Sequence, residues 1–213
     1  MAVEPKPAIR VIGVDPGLNV TGYGIVVCCA DGVKLLEAGV IRMPRNEGGN
    51  LPERLESLFV ELRRVIEEFN PQAMCLEEVY SHADYPRTAI LMGHARGVIC
   101  LAARMAGIPV LSFSAKRVKQ SVTGNGNASK LQVQRAVQNY FSLHRVPYPP
   151  DVADALAVAM CYANRSGAAL LGQKAVGSGQ WEVGSRRQND LTTLSPGERV
   201  SRCWGFHQPE RDG

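Results

Sequence analysis

Four acidic residues stand where the ordered elements of this chain are predicted to end or begin. Asp15 and Glu77 each follow a short apolar run, and Asp151 and Asp154 open a late helical pattern. Carboxylates at such positions converge in space, and because like charges repel, a cluster of them makes physical sense mainly around divalent cations. Mg²⁺ prefers oxygen ligands of this kind and often shares them with a substrate phosphate. The pattern therefore predicts a metal-dependent enzyme.

The pair Asp151 and Asp154 also has a second interpretation. An acid at a helix N-cap and another three residues later can bind free backbone N–H groups and suit the helix dipole. The same spacing places both carboxylates near one face of the first turn, as a metal site requires. The sequence leaves both interpretations open for this pair alone, and the acids Asp15 and Glu77 favour the metal site.

The elements that must position these acids begin with three strands. Strands are predicted over 9–14, 21–28 and 33–41. The turn Asp31-Gly32 joins the last two as an antiparallel hairpin. A helix capped by Asn50 is predicted over 51–69, because apolar residues recur there at helical spacing.

Strand and helix signals then alternate along the chain. The predicted elements are strand 73–76, helix 88–105, strand 110–113, helix 129–141 and helix 151–164. Three antiparallel strands followed by alternating strands and helices imply an α/β fold, with a mixed five-stranded sheet and helices on both faces. If strand 73–76 lies parallel beside the first strand, Asp15 and Glu77 leave the same edge of the sheet. Active sites of open α/β sheets favour that edge.

Length and composition bound the domain organisation. With 213 residues, we expect a flexible N-terminus over 1–8, one folded catalytic domain over 9–165 and a disordered polar tail over 166–213. No apolar run approaches the ~20 residues of a membrane span, and the start lacks the basic and apolar segments of a secretory signal. Six cysteines, mostly within apolar runs and without Cys-x-x-Cys pairs, are interpreted as reduced core residues. These features predict a cytoplasmic protein.

Basic residues dominate the middle of the chain. Between Glu78 and Asp151 there are nine bases and one acid, a local balance of +8. Such a stretch would attract a polyanion with salt-sensitive binding, and an ordinary solvated face is the alternative. The nine bases are Arg87, Arg96, Arg104, Lys116, Arg117, Lys119, Lys130, Arg135 and Arg145.

The segment from Asp15 to Gly24 narrows the chemistry. An Asp at a strand end, followed by glycines that let the backbone approach a phosphate, fits an RNase H-like nuclease or an actin-like ATPase lobe. The ATPase needs a second, duplicated lobe, and this chain has neither the length nor the repeat. Two divalent ions roughly 3.5–4 Å apart can activate water and stabilise the leaving oxygen of a phosphodiester. The acids and the basic stretch together predict phosphodiester hydrolysis without a side-chain nucleophile.

Between about Arg10 and Tyr162 the sequence resembles the RuvC family of bacterial Holliday-junction resolvases. The motifs that carry the resemblance are Gly13-Val14-Asp15-Pro16-Gly17, Thr21-Gly22-Tyr23-Gly24, Leu76-Glu77-Glu78-Val79-Tyr80, Gly93-His94-Ala95-Arg96-Gly97, Val118-Lys119-Gln120, Lys130-Leu131-Gln132-Val133 and Asp151-Val152-Ala153-Asp154-Ala155-Leu156-Ala157. The resemblance implies an RNase H-like fold, a homodimer, and paired nicks of like-polarity strands in a four-way DNA junction during recombination and repair. It also implies two Mg²⁺ ions per site, for which Mn²⁺ can substitute, and the RuvA–RuvB branch-migration complex as a partner.

The resemblance assigns roles to individual residues as well. The family's catalytic metal ligands fall on Asp15, Glu77, Asp151 and Asp154. Its basic residues near the scissile phosphate, which belong to the catalytic site, fall on Lys119 and Lys130. The DNA contacts that we expect from the resemblance and the basic stretch together are Tyr80, Lys116, Arg117, Lys119 and Lys130. Tyr80 would stack on junction bases, worth ~1–3 kcal/mol per base, or else pack in the core.

Three alternatives stay open at this stage. Glu78 competes with Glu77 as a metal ligand, because strand alternation sends them to opposite sides, and the family match favours Glu77. Lys119 and Lys130 could make only nonspecific phosphate contacts. The chain could also cut another structured nucleic acid, or bind junctions without cutting them.

Overall fold

The computed structural model describes residues 8–29, 32–42, 50–78 and 86–165. The predictions for the N-terminal segment 1–7, for Tyr80 and for the tail 166–213 fall on residues outside these ranges. Within the described ranges the chain forms a mixed sheet with helices on its two faces, so the predicted α/β class is confirmed.

A sheet of five strands forms the centre of the described part. The strands are β1 (Ile9–Asp15), β2 (Val20–Cys29), β3 (Gly32–Arg42), β4 (Ala73–Glu77) and β5 (Val110–Phe113). Their order along the sheet is β3-β2-β1-β4-β5. The first three strands are antiparallel neighbours, and β4 runs parallel to both β1 and β5. The carboxyl ends of β1 and β4 therefore meet at one edge of the sheet.

Helices pack on both faces of this sheet. The helices of the described part are α1 (Leu51–Phe69), α2 (Pro86–Met105), α3 (Ala115–Thr123), α4 (Lys130–Tyr140) and α5 (Pro150–Arg165). α1 and α2 bury their apolar side chains in one hydrophobic core, and the other three helices bury theirs in a second core on the opposite face. The predicted placement of helices on both faces is confirmed.

α1 has its predicted bounds because residues at both ends cap it. The Asn50 side chain accepts a hydrogen bond from the Glu53 N–H at the start of the helix. Asn70 adopts the left-handed conformation at the other end, with φ of 46°. Asn50 fixes the start of the helix and Asn70 fixes its end, both through local geometry that a sequence pattern can predict.

α3 is a helix that the sequence pattern did not predict. At its start the Ser114 side chain accepts a hydrogen bond from the Arg117 N–H, and Gly124 ends it with φ of 75°. Val118 and Val122 stand at helical spacing and pack on the core, but a helix of nine residues gives a repeat too short to stand out in a window of about 11–18 residues. The two cap residues were the other sequence signal.

α5 lies directly against the sheet where two strands carry glycine. A Cβ atom on Gly22 would come within 2.1 Å of the Asp151 carbonyl oxygen, and one on Gly13 within 2.1 Å of the Ala155 carbonyl oxygen. No side chain fits at either position, so the backbone of α5 contacts the backbone of β1 and β2. This close contact fixes the start of α5 over the sheet.

Several cysteines of the described part lie in the hydrophobic core. Cys28, Cys75 and Cys161 are buried free thiols. None of the helices in these ranges is both long enough and apolar enough to cross a membrane.

Candidate active site

Asp15 and Glu77 lie side by side at the carboxyl edge of the sheet. β1 and β4 are in parallel register up to Val14 opposite Leu76, so the next residue on each strand is one of the two acids. Glu77 lines the cavity described below, whereas Glu78 is exposed and its backbone N–H donates to the Phe113 carbonyl. Of the two neighbouring glutamates, Glu77 is the one directed toward the cluster.

The other two acids come from the start of α5. The helix begins at Pro150, so Asp151 lies in its first turn and Asp154 follows one turn later. Asp15 pairs with Gly22 across β1 and β2, and Gly22 is the residue that the Asp151 backbone contacts. The backbone contact thus brings Asp151 next to Asp15. The N-cap interpretation of Asp151 is wrong, because this residue is inside the helix.

The electrostatics of Asp15 show that the four acids share one site. Burial is the largest cause that raises its pKa from 3.8 to about 8, and the charges of Asp154, Glu77 and Asp151 raise it further. Lys130 acts in the opposite direction and does not offset them. Asp154, Glu77, Asp151 and Lys130 therefore all lie within electrostatic reach of Asp15.

Glu77 has the same kind of environment. Burial raises its pKa, and the charge of Asp154 adds to the rise. Lys119 and Lys130 both lower it, which places the two predicted catalytic lysines within electrostatic reach of the acids. The sequence-predicted acids and lysines are thus brought together in one place.

Lys130 makes the direct contact between the lysines and the acids. Its ammonium Nζ lies 2.8 Å from Asp154 Oδ2, with the lysine side chain 60% exposed and the aspartate side chain 21% exposed. Burial acts to lower the pKa of Lys130, but the hydrogen bond and charge of Asp154 raise it on balance. Lys130 is therefore charged and paired at the mouth of the site.

A cavity of about 240 Å³ lies between the end of β4 and helices α3, α4 and α5. Its charged lining residues are Glu77, Lys119, Lys130 and Asp154. The rest of its wall is apolar, formed by Ala115, Val118, Val133 and Ala157. Charges act more strongly beside an apolar wall than in open water. We call this space the active-site cavity.

The donor set of the site fits a hard cation. Four carboxylates supply the oxygen ligands that Mg²⁺ prefers, and the charges of neighbouring acids add to the effect of burial in raising the pKa values of Asp15 and Glu77. In the described ranges no group of three or more His, Cys, Asp or Glu side chains forms a ready-made metal site. Asp154 is paired with Lys130 instead. The oxygen donors of the four acids are of the kind that would suit a divalent ion.

Among the other predicted DNA contacts, Lys116 and Arg117 lie outside the lining of the active-site cavity. The Arg117 guanidinium lies over the Phe113 ring, 5.9 Å from its centroid, and is a hydrogen-bond partner of Cys161. Lys116 is exposed, and its side chain runs close to Gly126. Tyr80 is not among the described residues.

Arg96 is a residue at the site that sequence reasoning missed. From α2 it donates hydrogen bonds to the Glu77 carbonyl oxygen and to Ser112 Oγ. The signal available was its place in the motif from Gly93 to Gly97, but the motif did not indicate a contact with β4. Arg96 therefore joins α2 to the strand that carries one of the acids.

The fold and the site together define a nuclease of the RNase H-like class, with carboxylates on two neighbouring parallel strands and on the helix packed across them. The family model described as "Crossover junction endodeoxyribonuclease RuvC" matches residues 11–162. This chain belongs to the RuvC family of crossover junction endodeoxyribonucleases. The resemblance noted in the sequence is confirmed.

Individual relatives agree with this membership. The chain is 48% identical over 161 residues to the RuvC crossover junction endodeoxyribonuclease of Rhodopirellula baltica, which covers 76% of this chain and 89% of that protein. It is similar to the solved RuvC of Thermus thermophilus, with 31% identity, a TM-score of 0.67, and coverage of 76% of this chain and 98% of the other. The same Thermus protein in complex with Holliday junction substrate matches at 32% identity and a TM-score of 0.67, covering 74% of this chain and 94% of that one.

Proposed function

We propose that this protein resolves Holliday junctions in recombination and repair, by nicking two strands of like polarity through metal-dependent hydrolysis. Family membership supports the junction as substrate, since a related Thermus protein has been solved with that DNA. The observation that carries the proposal is the environment of Asp15, which is half-buried among three other acids beside two lysines. Such a site suits a phosphodiester together with divalent cations.

Asp15, Glu77, Asp151 and Asp154 would hold the metal, which we propose to be two Mg²⁺ ions replaceable by Mn²⁺. When bound, such ions activate water and stabilise the leaving oxygen of the phosphodiester. The four acids are held in fixed positions. Two of them lie at the ends of strands, and two lie on a helix whose start is fixed against the sheet. Their placement on rigid elements supports this role.

Lys119 and Lys130 would bind the scissile phosphate and stabilise the negative charge that develops on it. Both line the active-site cavity together with Glu77 and Asp154. The apolar wall beside them strengthens their interaction with a phosphate, because it replaces water near the charges. The cavity therefore supports a catalytic role rather than a contact on an open surface.

We propose a homodimer formed through the exposed face of α2. Along this helix Ile90, Leu101 and Met105 are 60%, 53% and 62% exposed, on one helical face. A Cβ atom added at Gly93 or Gly97 would meet nothing within 4 Å, so the face has room for a close helix neighbour. A two-fold dimer would present two active sites to a two-fold junction. A RuvA–RuvB partner and a cytoplasmic location are further proposals that follow from the family.

A mobile synthetic four-way junction, with cleavage mapped on all four strands, tests the proposed function. Wild-type protein with Mg²⁺ should cut two opposed strands of like polarity, and Asp154→Asn should bind the junction without cutting it. Matched duplex and RNA–DNA hybrid of the same sequence serve as control substrates. Faster cutting of either control would favour a nuclease for another nucleic acid, and absence of any Mg²⁺-dependent product would favour a silent junction-binding protein.

A further inference from the structure

The end of β4 carries one of the four acids of the active site. The parallel pairing of β1 with β4 reaches Leu76, and on the other side the Glu78 N–H donates to the Phe113 carbonyl of β5 at 2.9 Å. Glu77 is therefore the last residue of the strand, and its carboxylate belongs to the active-site cavity. The orientation of the backbone at Glu77 determines where its carboxylate lies.

Arg96 holds the backbone at this point. Its Nη1 donates to the Glu77 carbonyl oxygen at 2.5 Å, and its Nη2 donates to Ser112 Oγ at 2.7 Å. One planar guanidinium thus joins α2 to the ends of two neighbouring strands. A hydrogen bond from a charged donor is shorter and stronger than one between neutral groups, and the rigid fork of arginine fixes two partners at once.

We propose that Arg96 is a positioning residue for the metal ligand Glu77. It fixes the peptide group at the end of β4, and so holds the Glu77 carboxylate where it meets Asp15 and Asp154. The inference rests on the proposed function, in which Glu77 binds the metal. Catalysis tolerates little displacement, because a shift of about 1 Å in a catalytic group can cost on the order of a hundredfold in rate.

A purely structural role for Arg96 is the competing explanation. Ala95 and Ile99 of the same helix are buried in the core, so α2 is already attached to the sheet by its apolar side chains. If Arg96 only strengthened this packing, its loss would lower the free energy of unfolding and leave the folded enzyme's turnover and metal affinity unchanged. The two explanations therefore differ in kcat and in metal binding.

The test compares Arg96→Ala, Arg96→Lys and the control Arg64→Ala in the full-length protein. Arg64 is an exposed arginine on α1, outside both the proposed dimer face and the active-site cavity, and its replacement removes the same charge. On saturating junction with Mg²⁺ we expect kcat to fall on the order of a hundredfold for Arg96→Ala and to recover in part for Arg96→Lys, which keeps a charged donor but loses the fork. Arg64→Ala should behave like wild type.

Two binding measurements accompany the kinetics. The Kd for junction without divalent ions should stay within about twofold of wild type, because Arg96 acts through a metal ligand. Mn²⁺ titration followed by electron paramagnetic resonance should show about tenfold weaker binding for Arg96→Ala, since one ligand is misplaced. Thermal unfolding of each variant establishes that the folded protein is being measured.

Glu77→Gln separates a failure of this inference from a failure of the proposed function. If Glu77→Gln leaves cleavage and Mn²⁺ binding at wild-type levels, the proposed role of Glu77 is wrong and the inference falls with it. If Glu77→Gln abolishes both while Arg96→Ala and Arg96→Lys keep wild-type kcat and Mn²⁺ affinity, Arg96 is not a positioning residue. Should Arg96→Ala fail to fold, wild-type kcat in Arg96→Lys overturns the inference, and a reduced kcat with unchanged junction Kd supports it.

Discussion

Lys130 and Asp154 form an ion pair that joins the first residue of α4 to the second turn of α5, with 2.8 Å between Nζ and Oδ2. A lysine at the start of a helix opposes the helix dipole. The capping box between Ser129 and Gln132 satisfies the backbone donors at that end without help from Lys130. The role of Lys130 at this position is therefore its contact with Asp154 in the active site, and not the stabilisation of its own helix.

Lys130→Met should strengthen metal binding by the DNA-free protein. The lysine and a metal ion compete for the same Asp154 carboxylate, and a partly exposed ion pair is worth ~0.2–1 kcal/mol, so we expect up to about a fivefold gain in Mn²⁺ affinity. Isothermal titration with Mn²⁺ measures the change in affinity. The control for a lost surface charge is Lys116→Met, since Lys116 is exposed on α3. Weaker Mn²⁺ binding by Lys130→Met would contradict competition. Junction cleavage by Lys130→Met should nevertheless be slower than by wild type, because the scissile phosphate loses its proposed contact with Lys130.

Lys119→Ala should lower kcat more than it lowers junction affinity. Lys119 lines the active-site cavity and lowers the pKa of Glu77, so its charge acts where the phosphodiester is cut. Stabilisation of charge in the transition state is typically worth 10²–10³-fold in rate for one group. Single-turnover cleavage at saturating protein measures this effect apart from binding. If the cleavage rate of Lys119→Ala recovers fully at high protein concentration, Lys119 makes only a nonspecific phosphate contact.

The stability of the metal-free protein should fall as pH rises. A carboxyl whose pKa is raised in the folded state, as that of Asp15 is to about 8, binds its proton more tightly when folded. Its contribution to stability is therefore full below about pH 4 and is lost as pH rises through about 8. Glu77 shifts in the same direction. Thermal unfolding in EDTA should give a Tm that declines across this range.

Asp15→Asn should flatten that decline and raise Tm near pH 8, because the buried charge is gone. Glu67→Gln is a matched control, since Glu67 is exposed on α1 and paired with Arg63. Mg²⁺ should raise the Tm of wild-type protein near pH 8 and have less effect on Asp15→Asn. A wild-type Tm that stays level from about pH 5 to pH 8 in EDTA would count against the electrostatic picture of the cluster.

Leu101→Lys should dissociate the proposed dimer. Leu101 is 53% exposed on the apolar face of α2, and a charge placed at the centre of such an interface is costly. Sedimentation velocity of wild type and variant at micromolar concentration measures the effect. Leu131→Lys is the control, because Leu131 is 50% exposed on α4 on the other face of the sheet. A monomeric wild-type protein at that concentration would argue against the dimer.

The sequence predicted the parts of the fold that depend on apolar spacing and local turns. The strands, α1 and the shared edge of Asp15 and Glu77 follow from such signals. α3 was missed because its apolar repeat extends over only nine residues. The contact of Arg96 was missed for another reason. It ends on a backbone carbonyl and a serine hydroxyl from distant strands, and a carbonyl has no signature in a sequence.

Gly22 has a consequence for how this site tolerates change. It pairs with Asp15 on one side and meets the Asp151 carbonyl on the other, so both acids are located by main-chain atoms. The separation between their backbone positions is therefore set by main-chain contact rather than by packed side chains. Residues around the cavity can vary and still leave these two backbone positions in place, whereas a single added methyl group at Gly22 would move one away from the other.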